Sequence, residues 1–364
     1  MKKSPDYILL FIVLALLSIG LIMVFSASPT MAMKLGDPYY YLKRQILFMI
    51  LGFLALLLGF KIDYNYLKEW SPWFLGGSIC LLLLLFIPGL GQEISGAVRW
   101  LNLGLFSFQP SEITKLALIV YLSSSIADKK DKIKNFLEGL LPLLLLIMFI
   151  TFLIIRQPDL GTTLVILGTS GLMLFVGEVQ IAHLFGLAAV GLAGLLGLIL
   201  ASPYRLRRIV AFINPWQDPR SAGFHIIQSL LAVGSGGPLG LGLGQSRQKF
   251  FYLPQQVTDF IFAILCEELG FIGGLIVITL FALFIIRGLK ISREAPDKFT
   301  MLLSAGITGW IAIQALINIS VVIGLLPTTG IPLPFISYGG TSLLVLLFSI
   351  GLLLNISQVQ ELKT

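Results

Sequence analysis

A few acids and cations stand where an apolar chain makes charge costly, and they are the residues able to do chemistry. Asp259 follows Thr258 at the opening of one long apolar run. Asp159 opens another, in Gln157-Pro158-Asp159-Leu160-Gly161-Thr162-Thr163. A carboxylate so placed can take a proton from a hydroxyl or offer oxygen to a hard divalent cation. Each also suits a plainer role, because aspartate is a favoured helix N-cap. Glu112 and Lys115 lie three apart in Gln109-Pro110-Ser111-Glu112-Ile113-Thr114-Lys115. That spacing places them on one helix face, where a purely structural ion pair is as good a reading as a functional one. Glu267 and Glu268 interrupt an apolar run and are expected to pair with polar groups on neighbouring helices.

The stretch 202–257 holds Arg205, Arg207, Arg208, Arg220, Arg247 and Lys249 against a single acid, Asp218. Such a surface can hold an anionic substrate, for example a pyrophosphate-linked lipid, with Arg208, Lys249 and then Arg205 as leading contacts. Ordinary contact with lipid phosphates is the alternative. The same stretch contains Gly234-Ser235-Gly236-Gly237-Pro238-Leu239-Gly240-Leu241-Gly242-Leu243-Gly244. Glycine-rich backbone can cradle phosphate. With no Gly-Lys-Ser/Thr and no preceding strand, however, it is a weak nucleotide motif, and close helix packing or a re-entrant turn explains it as well. His183 and His225 are far apart and form no zinc motif. Cys80 and Cys266 both fall in apolar stretches and read as small hydrophobes.

The elements that must position these residues are membrane helices. Of 364 residues 57% are hydrophobic and 12% charged, about half the charge of a soluble domain. The mean hydropathy is +0.95. Ten apolar spans are predicted, near 7–27, 44–61, 72–88, 110–127, 137–155, 159–177, 180–201, 258–287, 300–325 and 335–358. They form a single integral membrane domain over 1–364, all-α and polytopic, with the large loop 202–257 between spans 7 and 8. The first span follows Lys2 and Lys3 and is too long for a usual signal peptide, so it reads as an uncleaved anchor. With both termini cytoplasmic, thirteen lysines and arginines lie in inner segments, among them Lys2, Lys3, Lys129, Lys130 and Lys363. Five lie in the short outer loops: Lys34, Lys43, Arg44, Arg99 and Arg156. The positive-inside bias therefore places 202–257 outside the cell. It also accounts for the net charge of +7 without nucleic acid.

Four segments carry a family resemblance. They are Arg99-Trp100-Leu101 with Gln109-Pro110-Ser111-Glu112 and Lys115; Asn214-Pro215-Trp216 with Asp218-Pro219, Gly223-Phe224 and Gln228-Ser229; Leu253-Pro254 with Thr258-Asp259-Phe260-Ile261-Phe262-Ala263 and Glu267-Glu268-Leu269-Gly270; and Gly330 to Gly340. From end to end the chain resembles the shape, elongation, division and sporulation (SEDS) family, which comprises RodA, FtsW and SpoVE. Gly242 to Lys249 and Tyr252-Leu253-Pro254 look like the division and sporulation branches, and Phe250-Phe251-Tyr252 leans toward the sporulation type. Gln255 stands where many members carry glutamate and Val257 where some carry histidine, which leaves a catalytic part for either in doubt.

The resemblance implies a glycosyltransferase that polymerises lipid II at the outer face of the cytoplasmic membrane, with inversion and release of undecaprenyl pyrophosphate. It implies Asp259 as the essential acid, and Glu112, Lys115 and Asp159 as further positions linked to activity. Its expected partners are lipid II and undecaprenyl-pyrophosphate-linked glycan, a class B penicillin-binding transpeptidase, and other division or sporulation membrane proteins. The chemistry agrees with the residues: one carboxylate suffices to deprotonate the acceptor hydroxyl, and the leaving pyrophosphate needs positive charge rather than an acid. A divalent cation, Mg2+ or Mn2+, with Asp159 or Asp259 as ligand is expected, and no nucleotide. The alternative is a flippase for the lipid-linked precursor, with Glu112, Lys115 and Asp159 as its pathway.

Overall fold

The computed structural model describes residues 4–94, 97–102, 104, 107–200, 202–221, 223–250 and 253–359. Lys2, Lys3, Lys363 and the Phe251-Tyr252 pair lie outside them. Each of the ten expected spans falls on a helix: α1 (Tyr7–Ala27), α2 (Tyr40–Lys61), α3 (Ser71–Leu84), α4 (Pro110–Lys129), α5 (Leu141–Arg156), α6 (Leu160–Val176) and α7 (Ile181–Leu200), then, beyond the long stretch, α10 (Ile261–Arg293), α11 (Lys298–Val322) and α12 (Gly340–Gln358). Among the described residues, six segments are long and apolar enough to cross a membrane by themselves. The protein is an all-α polytopic membrane protein, as its hydropathy requires.

Two regions depart from the sequence reading. The connection after α3 forms a small antiparallel sheet, β1 (Gly91–Ile94), β2 (Ala97–Asn102) and β3 (Ser107–Phe108), in the order β1-β2-β3. The stretch 202–257 is no simple loop. It contains α8 (Pro203–Ile213) and α9 (Phe224–Ser235). Pro203 starts α8, where a missing N–H does no harm. α9 is apolar but only 12 residues long, too short to span.

α11 is the central post, packed against α4, α6, α9, α10 and α12. α2 and α12 run together closely because Gly59 and Gly351 face each other's backbones, where a Cβ would collide with Phe348 O and Leu56 O.

α10 breaks at Gly270, whose φ is 69° and ψ −167°. Inside a bilayer a break must find partners for its freed peptide groups. The glycine run supplies them. Leu241 N and Gly242 N donate to Glu267 O and Glu268 O (both 3.0 Å), while Phe271 N and Ile272 N donate to Gly237 O (2.8 Å) and Pro238 O (3.2 Å). A Cβ on Gly236, Gly240 or Gly270 would strike the facing backbone. The close packing expected of this run is present.

Candidate functional site

The two aspartates singled out in the sequence stand in different local settings. Asp159 is 3% exposed and caps α6: Oδ1 accepts from Thr162 N (3.0 Å) and Oδ2 from Thr162 Oγ1 (2.9 Å). Asp259 does not cap. α10 starts from Phe260 with no side-chain cap bond, and the Asp259 side chain is half-buried just ahead of it.

The Asp259 backbone is held from two sides. Three consecutive carbonyls each accept a bond from another element: Val257 O from Tyr338 N (2.9 Å), Thr258 O from Ser337 Oγ (2.6 Å) and Asp259 O from Asn318 Nδ2 (2.7 Å). Gly330, at φ 76°, leaves room beside the carboxyl, where a Cβ would stand 3.7 Å from Oδ2.

Arg99 rises from β2 to the link between α5 and α6. Its Nε donates to Gln157 O (3.2 Å), an Nη donates to Pro158 O (2.5 Å), and Nε lies 3.8 Å from Asp159 Oδ2. Arg208, on α8, donates to Thr328 O (3.0 Å), two residues before Gly330. Both guanidinium groups and Asp159 act on the Asp259 carboxyl. Loss of hydration pushes it up to about 6, Asp159 adds to the rise, and the Thr258 hydroxyl, Arg99 and Arg208 oppose it. One acid therefore sits in the field of two arginines, with its proton affinity moved into the range useful for general base work.

Glu112 and Lys115 pair as their spacing predicts, at 2.9 Å and almost wholly buried. They do not touch Asp259. Lys115 Nζ also donates to Gln314 Oε1 (3.0 Å) and lies 4.9 Å from the centre of the Trp310 ring. Arg205 is half-buried on α8, three residues before Arg208. Lys249, expected beside phosphate, goes elsewhere. It is 6% exposed, and its ammonium donates to Glu268 Oε1 (3.1 Å) and Ser26 Oγ (3.4 Å). Ser26 Oγ in turn reaches Glu268 Oε2 at 2.6 Å, and Glu267 accepts from Ser246 Oγ and Arg247 N. The expectation that Glu267 and Glu268 pair with polar groups is met in part by a neighbouring helix, through Ser26 of α1.

Three residues near the acid escaped the sequence reading. Asn318 and Gln314 are amides one turn apart in a largely apolar span, a spacing that marks one polar face. His225 stacks on Phe260, with ring centres 5.9 Å apart. Nothing in the sequence placed it beside the residue after Asp259.

Comparison with known proteins gives a consistent picture. The family model described as cell cycle protein, FtsW/RodA/SpoVE, matches residues 7–362. Stage V sporulation protein E of Bacillus subtilis (strain 168) is 49% identical over 358 residues, covering 98% of each chain. A protein named probable peptidoglycan glycosyltransferase FtsW, from Geobacter sp. (strain M18), is 44% identical over 357 residues, covering 98% of this chain and 97% of its own. Among solved structures, a chain of a peptidoglycan synthase complex, in work on coordinating polymerization and crosslinking, superposes with TM-score 0.83. It is 31% identical and matches over 98% of this chain and 99% of its own. The crystal structure of the rod shape determining protein RodA of Thermus thermophilus superposes with TM-score 0.73 at 29% identity, over 98% of this chain and 99% of its own.

Proposed function

This chain belongs to the FtsW/RodA/SpoVE family of cell cycle proteins, and from that premise we propose that it is a peptidoglycan glycosyltransferase polymerising lipid II into glycan strands. The observation that carries the reading is the asymmetry of charge at Asp259: one available carboxylate, pushed up to about 6 by burial, in the field of Arg99 and Arg208.

The acceptor sugar's 4-hydroxyl attacks the anomeric carbon of the donor chain from the face opposite the pyrophosphate. The new C–O bond forms as the bond to undecaprenyl pyrophosphate breaks, and α becomes β. Asp259 takes the hydroxyl proton. Arg208 and Arg99 stabilise the negative charge that gathers on the leaving group, so no protonating acid is needed. Glu112 and Lys115 support the site rather than contact the reacting atoms.

A divalent cation, Mg2+ or Mn2+, fits the residues in a restricted way. Among the described residues no three acids or histidines gather as a metal site. Each Asp159 oxygen accepts only one bond from Thr162 and keeps a lone pair, so Asp159 would hold the cation where Asp259 acts as the base, and Asp259 is the other candidate ligand. Magnesium commonly binds through one or two carboxylates plus substrate phosphates, and when bound it would neutralise pyrophosphate charge.

The likeness to a chain of a peptidoglycan synthase complex supports a class B penicillin-binding transpeptidase as partner. The lysine and arginine count supports cytoplasmic termini and an extracytoplasmic site. Single cysteines at Ser221 and Asn135, in a background without Cys80 and Cys266, test that orientation. An impermeant thiol reagent should label only position 221 in intact cells, and labelling of 135 alone would reverse it. Purified protein given fluorescent lipid II in detergent tests the activity itself. Long glycan strands are expected, whereas a flippase would leave lipid II unchanged because no membrane remains to cross.

A further inference from the structure

Gln314 and Asn318 lie four residues apart on α11 and are 0% and 1% exposed. Two buried amides on one face of a membrane helix must find partners. Those partners include the Lys115 ammonium and the Asp259 backbone carbonyl, which are not bonded to each other.

The Gln314 amide has only one workable orientation. Its Oε1 accepts from Lys115 Nζ (3.0 Å) and Trp310 Nε1 (2.9 Å), both groups that can only donate. Its Nε2 is thereby turned to Pro332 O (3.0 Å). Asn318 is fixed in the same way. Nδ2 donates both hydrogens, to Ile331 O and to Asp259 O, each at 2.7 Å. Ile331 and Pro332 are adjacent, so the two amides grip neighbouring carbonyls of one segment. That segment needs outside donors, because Pro332 and Pro334 lack N–H groups and it belongs to no helix or strand.

We propose that Gln314 and Asn318 are positioning residues, linking the buried Glu112–Lys115 pair to the Asp259 backbone through the Ile331–Pro332 carbonyls. The inference rests on the polymerase reading above and extends it. Displacing Lys115 lets the Gln314 amide turn, which releases Pro332, then Ile331, and loosens the amide that holds Asp259. The pair thus affects catalysis without approaching the reacting atoms. The Ser337 and Tyr338 bonds to the two preceding carbonyls keep the segment folded when Asn318 is lost. A variant lacking the amide is therefore a folded protein with a displaced carboxyl.

The test is steady-state polymerisation of lipid II by purified Asn318→Ala, with melting temperature measured in parallel. kcat should fall about 10- to 100-fold, the scale of roughly an ångström of misplacement, while KM stays within about twofold. In an Asp259→Glu background, whose carboxyl is already displaced, Asn318→Ala should add less than about twofold. Ser304→Ala removes another buried polar bond of α11, from Ser304 Oγ to Thr300 O, and should leave kcat unchanged. Gln314→Met keeps the side chain's bulk and should lower kcat in the same sense, which supplies the test should Asn318→Ala fail to fold. Wild-type kcat in a folded Asn318→Ala or Gln314→Met protein overturns the proposal, as does a full additional loss in the Asp259→Glu background. Absence of polymerisation by the wild-type protein would instead strike the polymerase reading.

Discussion

Glu268 and Asp259 are nine residues apart in the chain and sit in opposite kinds of polar environment. Glu268 is 1% exposed, with Oε1 bonded to Lys249 Nζ and Ser246 N, and with Ser26 Oγ at Oε2. Asp259 is half-buried, caps no helix and meets its arginines through their field. The first is a closed cluster that locks the glycine run and the loop after it onto the broken helix. The second keeps a carboxylate available. The two acids therefore divide the work: the closed cluster around Glu268 carries architecture, and the half-buried Asp259 is the acid left to carry chemistry.

If that division holds, damage to the closed cluster should appear in folding. Glu268→Ala strands the Lys249 ammonium in the interior, at a cost of about 3–5 kcal/mol, and should abolish most folded yield on size-exclusion chromatography. A well-folded, inactive Glu268→Ala protein would erase the distinction. Glu112→Ala and Lys115→Ala should each lower the melting temperature for the same reason, and the double variant should lose less than the two singles summed. Simple additivity would mean the two residues do not interact.

Smaller effects should belong to the open group. Arg208→Gln should weaken lipid II use about 10- to 100-fold, the range for a lost charged hydrogen bond, with little change in melting temperature. Lys129→Gln, on the opposite end of α4 from Glu112, should change nothing. Equal losses would point to general lipid binding. The mildest test is pH. Only the ionised carboxyl accepts a proton, so kcat/KM should rise up to about 6 and level off above it. Arg99→Gln should move the midpoint upward, because the guanidinium favours the ionised form. A wild-type midpoint at the ordinary carboxylate value of about 4 would place the base elsewhere.

Much of this was legible in the sequence. Long charge-poor runs located every membrane helix, because hydrocarbon tolerates little else. The i, i+3 spacing of Glu112 and Lys115 gave their pairing outright. The rest depended on contacts between distant segments. The positive charge of Lys249 suggested phosphate, but its partner is an acid nineteen residues on, two residues before the helix break at Gly270. Arg99 looked like a loop cation because β1 to β3 are short strands without clear alternation. Asp159 and Asp259 both looked like caps or chemistry, and only the geometry of Thr162 and Phe260 separated them.

The most direct test of the account is the polymerisation rate of purified Asp259→Asn on fluorescent lipid II, read beside its melting temperature. The substitution keeps size and hydrogen-bonding capacity and removes the charge. Because Asp259 caps nothing, the melting temperature should stay within a few degrees of wild type. The rate should fall by at least the roughly 10²–10⁴-fold typical of a lost acid–base group. A folded Asp259→Asn protein that still builds glycan strands at near the wild-type rate would contradict the assignment.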